Sequence, residues 1–203
     1  MSIDELKEKI AEMSERNRRA REEAGLPPED PEDFVGETLS FYLLEELLPF
    51  RNIFVKYGRM VTEGTYTRID LEKLATYKRY STLLGYSKVD EVKNFATGVR
   101  MGLSVMKRVN EAIDNGDPKD TIDIAWVLSM TSLVITLLST KRHEFYYDIN
   151  RDGTHYDASK RIDTDLATLR ADPERLQTEI DTAWAHYESI KHLTWDGVRD
   201  DKE

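Results

Sequence analysis

The sequence predicts a mainly α protein: a helical bundle around a long antiparallel helical hairpin at about 87–142, with one small β-hairpin at about 144–158. Three observations carry this expectation. Val89, Val92, Ala96, Val99, Leu103, Met106, Asn110 and Ile113 keep an unbroken 3-4-3-4-3-4-3 spacing, the mark of one buried helical face. Only Asn115, Gly116 and Asp117 separate that helix from a second apolar stretch, so the two should fold back on each other. Farther on, Asn150, Arg151, Asp152 and Gly153 lie between aromatic-rich runs, a turn signal for two paired strands.

The elements follow in chain order. Ile3, Leu6, Ile10 and Met13 form a short a/d seam on an otherwise charged helix, and Pro27, Pro28 and Pro31 then break it. Residues 1–33 thus read as a polar helical arm with a proline-rich linker, suited to docking on another subunit. A single helical domain, carrying the β-hairpin as an insertion, is expected over 34–195, and 196–203 form an acidic tail. Val35, Leu39, Tyr42, Leu43 and Leu47 give the first helical face of that domain, ended or kinked by Pro49. Ile53, Phe54, Tyr57, Met60 and Val61 give the next, stopped near Gly64. Asp70 or Thr67 should cap a further helix through Leu84, with Gly85 as a left-handed C-cap.

Ser87 and Asp90 resemble a capping box for the long helix, and Gly116 supplies its stop, giving about 26 residues and about 40 Å. Gly98 and Gly102, four apart beside the seam, mark a place where another element packs closely. Asp117 and Pro118 read as an N-cap and the first residue of the second hairpin helix, which should run to about Arg142. That helix is apolar nearly all round its middle, which places it at the centre of the fold. Helix resumes near Asp163 or Thr164, and Asp172, Pro173 and Glu174 open a last helix carrying Leu176, Ile180, Ala183, Tyr187 and Ile190.

A chain of 203 residues, 39% hydrophobic and 33% charged, suits one soluble domain with an appendage. Without cysteine there are no disulfides and no thiolate metal sites. The longest apolar run, Ala125 to Leu138, is short of the about 20 residues that a membrane span needs and holds four hydroxyl side chains. The amino terminus lacks the basic and apolar regions of a secretory signal, so the expected location is cytoplasmic, or within an assembled particle. Charge is segregated: twelve of the 29 basic residues and only five acids fall between Arg51 and Arg108, giving that stretch +7 in a chain of net charge −10. Such a dipole biases which surfaces meet.

No catalytic signature is present: there is no Gly-rich phosphate loop and no nucleophile elbow, and no cofactor is expected. The four histidines lack metal-binding spacing. Asp148, Asn150 and Asp152 match the first half of a calcium loop, but Ser159 stands where that loop needs a bidentate acid, so a plain hairpin turn explains them better. Lys73, Tyr77, Lys78, Arg79 and Tyr80 mix bases with aromatic rings, and Arg100, Lys107 and Arg108 extend the basic character along the long helix. That chemistry suits phosphates and exposed bases, or an acidic protein, although pairing with the chain's own acids accounts for it too.

The expected function is that of a non-enzymatic structural or adaptor subunit assembling with protein partners, most simply copies of itself, and not with a membrane. A virus-particle or mobile-element component such as a helical connector is one concrete member of that class. Ile3, Leu6, Ile10, Met13 and the buried polar Asn110 are the candidate assembly contacts, since a polar residue in an apolar seam sets register. The alternatives are a nucleic-acid-associated protein using the basic 51–108 surface and a calcium-modulated module at 148–153.

Overall fold

Helical periodicity and local stop signals set each element of this chain. The computed structural model describes residues 34–87, 89–116, 124–139 and 155–191, with backbone alone for residues 90, 91, 124 and 155–159. The chain divides into two compact units, Phe34–Ala183 and a second made of Met1–Asp33 with Trp184–Glu203. Of the second, the described part includes Trp184 and Tyr187, whose ring centroids are 5.0 Å apart. The protein is mainly α, and among the described residues there is no strand, only a single parallel bridge between Val35 and Ser87.

The larger unit opens with α1 (Glu37–Leu47), and Pro49 both ends it and stands immediately before α2 (Phe50–Thr62). Gly64 at φ +74° closes α2, where the Gly64 N–H bonds to Val61 O and the Thr65 N–H to Met60 O at 2.9 Å. This is a Schellman stop, for which the left-handed residue is normally glycine. The connector then passes to α3 (Ala75–Leu84) through a 3₁₀ turn at Glu72–Leu74, which Asp70 starts by accepting the Glu72 N–H at 3.2 Å. Gly85 does not serve as a left-handed cap: its φ is −62°. A Cβ there would stand 3.2 Å from Thr82 O and 3.4 Å from the Arg100 guanidinium, so space is what the position demands.

The long helix, α4, spans Asp90–Asp114 and ends before Gly116, whose φ is +143°. Ser87 does not form the expected capping box. Its hydroxyl accepts the Val89 N–H at 3.1 Å, two residues on, and Val89 is the N-cap residue. The seam is wider than its spacing implies: Phe95, Val105, Val109 and Ala112 are buried beside Val92, Ala96, Val99 and Met106. α4 contacts α1, α2, α3 and α5 (Ile124–Leu137) and is therefore the central helix. The two glycines on it do what their spacing suggests. A Cβ at Gly98 would lie 2.9 Å from Leu137 Cβ, and one at Gly102 would lie 2.9 Å from both the Phe50 and Phe54 rings. Gly98 thus admits α5 and Gly102 admits α2.

α5 runs antiparallel to α4, because Gly98 meets Leu137 and Leu138 while the Arg108 guanidinium sits 4.2 Å over the Trp126 ring. It is not at the centre of the fold. Val127, Thr131, Val134 and Leu138 are buried, but Ala125, Leu128, Ser129, Ser132, Leu133 and Thr136 face outward. The composition suggested burial all round, whereas Ala125, Ser129, Ser132 and Thr136 collect on one exposed arc.

α6 (His155–Arg170) buries Ile162, Leu166 and Leu169, and packs on α1 with Arg161 bound to both carboxylate oxygens of Glu37 at 2.8 and 3.1 Å. Its start corrects the expected hairpin. His155, Tyr156 and Asp157, read as a second strand, are the first turn of this helix, whose Ile162-Leu166-Leu169 periodicity outweighs a short aromatic alternation. The first strand and turn of that expectation, residues 144–153, lie outside the described residues. α7 (Pro173–Ile190) begins as expected, with Asp172 accepting the Arg175 N–H at 3.0 Å, Pro173 first and Glu174 in the opening turn.

Candidate functional site

The sequence-selected residues do not gather into one site. Asn110, expected at an assembly contact, uses both ends of its amide inside the chain. Its Oδ1 accepts the Ile69 N–H at 2.9 Å and its Nδ2 donates to Ile69 O at 2.7 Å. A side chain thereby stands in for a backbone partner and pins the 65–71 connector to α4. Asn110→Ala should cost about 1–2 kcal/mol, because two backbone groups of a half-buried residue lose their partners; chemical denaturation reads that loss directly.

The basic residues are largely countered. Lys73 lies 3.4 Å from Asp70, Arg79 donates to Asp181 at 2.7 Å, Lys107 lies 3.9 Å from Glu111, and Arg108 covers Trp126. Arg100 reaches Thr97 and the space left by Gly85. Tyr77 packs its half-buried ring 5.4 Å from Phe50, so it offers no open stacking face. Tyr80 and Tyr42 are pushed above the ordinary phenol range, first by burial and then by the Glu46 carboxylate. Tyr57 is pushed up by burial alone. All three phenols stay neutral near pH 7. Among the residues named for a basic surface, Lys78 is exposed on α3 and makes no ion pair.

A different set of bases does form a surface. Arg51, Lys56 and Arg59 sit at i, i+5 and i+8 on α2, all exposed, and none has an ion-pair partner among the described residues. At about 100° per residue they occupy one outer arc, opposite the buried Phe50, Phe54, Tyr57 and Val61. No acid lies on α2. Sequence reasoning counted these three in the basic stretch without selecting them; helical spacing combined with the absence of acids was the available signal.

That stripe borders the outward face of α5. A Cβ on Gly58 of α2 would stand 2.7 Å from Thr131 Cγ2 and 3.9 Å from Ile135, so the Gly58 backbone takes the Thr131 side chain of α5 directly against it. α5 contains no charged residue, and Leu128 and Leu133, 38% and 42% exposed, are the large hydrophobics that the described surface leaves open. An uncharged ridge with leucines at its edges thus belongs to the helix packed on α2, which carries the basic stripe.

Ile3, Leu6, Ile10 and Met13, and likewise Asp148, Asn150 and Asp152, lie outside the described residues. Among the described residues no three His, Asp or Glu side chains are grouped to hold a metal ion, and no helix is long and apolar enough to cross a membrane. In comparisons with known proteins, no family model, no curated protein and no solved structure matches this chain.

Proposed function

We propose that this protein is a non-enzymatic structural or adaptor subunit that acts by assembling with other protein subunits, in the first place with copies of itself. The observation supporting this is the outward face of α5, a helix of fourteen residues without a single charge, exposing Leu128 and Leu133 in a chain that is otherwise one-third charged. Contiguous apolar surface on a soluble protein marks an interaction site, and an uncharged face edged by two open leucines is a candidate for one. Leu133 is 42% exposed, the more open of the two, and so the position where a charge acts most on association.

Light scattering on the full chain, over a range of concentrations, tests the reading. A defined oligomer is expected, and Leu133→Asp should weaken it on the order of ten-fold or more while leaving the melting temperature unchanged. A full-length chain that stays monomeric at every concentration and salt would overturn the proposal.

A further inference from the structure

We infer that the basic stripe on α2 receives the acidic segment at residues 22–33 of a second copy. This rests on the assembly reading above and adds its contact.

The stripe groups three bases that have no ion-pair partner among the described residues; Lys78 on α3 is another, standing apart from them. Arg68 is bound to Asp114 at 3.0 Å, Arg79 to Asp181, and Lys73 and Lys107 lie beside acids of their own. Three unpaired positive charges on one exposed arc attract an anionic partner in a molecule whose net charge is −10.

The same chain carries a matching element. Residues 22–33 hold six acids (Glu22, Glu23, Glu29, Asp30, Glu32, Asp33) and no base. Pro27, Pro28 and Pro31 interrupt them, and proline cannot continue a helix.

Stripe and segment are different parts of the sequence, so the contact is either exchanged reciprocally in a closed dimer or repeated into a ring or filament. The charges are exposed, so salt near 1 M, with a screening length of about 3 Å, dissolves the contact.

Two full-length charge-reversal variants and their mixture provide the test. One replaces the stripe (Arg51→Glu, Lys56→Glu, Arg59→Glu) and the other the segment (Glu29→Lys, Asp30→Lys, Glu32→Lys, Asp33→Lys). By light scattering at low salt each variant alone should run as a monomer with the wild-type melting temperature, and the equimolar mixture should regain mass above the monomer, because each then supplies what the other lacks. The milder Arg51→Gln, Lys56→Gln, Arg59→Gln protein should fall between wild type and monomer. If the reversed stripe keeps the wild-type mass, assembly stands and this contact falls. If both variants are monomeric and their mixture stays so, the segment is not the partner of the stripe. A wild type that is monomeric throughout removes the assembly reading and this contact with it. Salt-dependent binding of a single-stranded DNA oligonucleotide that is abolished by the stripe reversal, without self-association of the wild type, assigns the stripe to nucleic acid instead.

Discussion

Phe54→Ala will lower the stability of the protein by about 3–5 kcal/mol, the range for truncating a large core aromatic. The ring is fully buried, lies between Phe50 at 6.1 Å and Tyr57 at 6.2 Å, and covers the Gly102 backbone of the central helix. Neighbours on two helices surround it, so collapse into the space is limited and most of the cavity term remains. For a chain of this size each kcal/mol moves the midpoint by about 2–4 °C, so calorimetry should show a fall of about 6–20 °C. Phe54→Leu, which keeps apolar volume, should cost well under half as much. A drop of less than about 2 °C for Phe54→Ala would place the core elsewhere.

The second large effect comes from the opposite change at the same contact. Gly102→Leu should destabilise by about 1–3 kcal/mol or more, since even its Cβ would stand 2.9 Å from two packed rings and the remaining carbons have no opening. Helix propensity works in the other direction by about 1 kcal/mol, and the steric term wins because neither ring can swing away without opening the core. The two sites share one interface, so their effects will not add. In the Phe54→Ala background the cost of Gly102→Ala should shrink, with an interaction energy of about 0.5–3 kcal/mol from a double-mutant cycle. Additive costs would mean that the two residues are not in contact.

Those helices and that close contact are legible in the sequence for a simple reason: burial is periodic. The spacing from Val89 to Ile113 located α4 to within a few residues, and Gly98 and Gly102 announced close neighbours because only glycine fits there. Gly64 and Gly116 were legible as stops because both have positive φ. Gly85 was not, because a glycine required by a neighbouring guanidinium looks the same in sequence as one required by φ. α5 misled for a related reason. Apolar content without charge suggests burial on all sides, yet Ser129, Ser132 and Thr136 share one arc and face outward.

The interaction surface was harder to see because it is defined by what the fold leaves unpaired. Arg79 and Asp181 are far apart in sequence, as are Arg68 and Asp114, so no local pattern marks those bases as countered. Arg51, Lys56 and Arg59 stand out only once Arg68, Lys73, Arg79 and Lys107 are seen beside their acids. Asn110 shows the converse. A polar residue in an apolar seam suggested a contact between chains, and its actual partner is the backbone of Ile69, forty-one positions away.

The bridge between Val35 and Ser87 makes the first third of the larger unit a closed ring of chain, with both ends of the ring fully inside. Joining distant points of a flexible polymer carries an entropy cost that rises with the logarithm of the separation, by about 0.6 kcal/mol for each doubling. Here much of the path is wound into α1, α2 and α3, where each residue advances about 1.5 Å instead of the roughly 3.3 Å of extended chain. Formed helices therefore shorten and stiffen the spacer that the bridge closes, and lower the entropy that its closure costs.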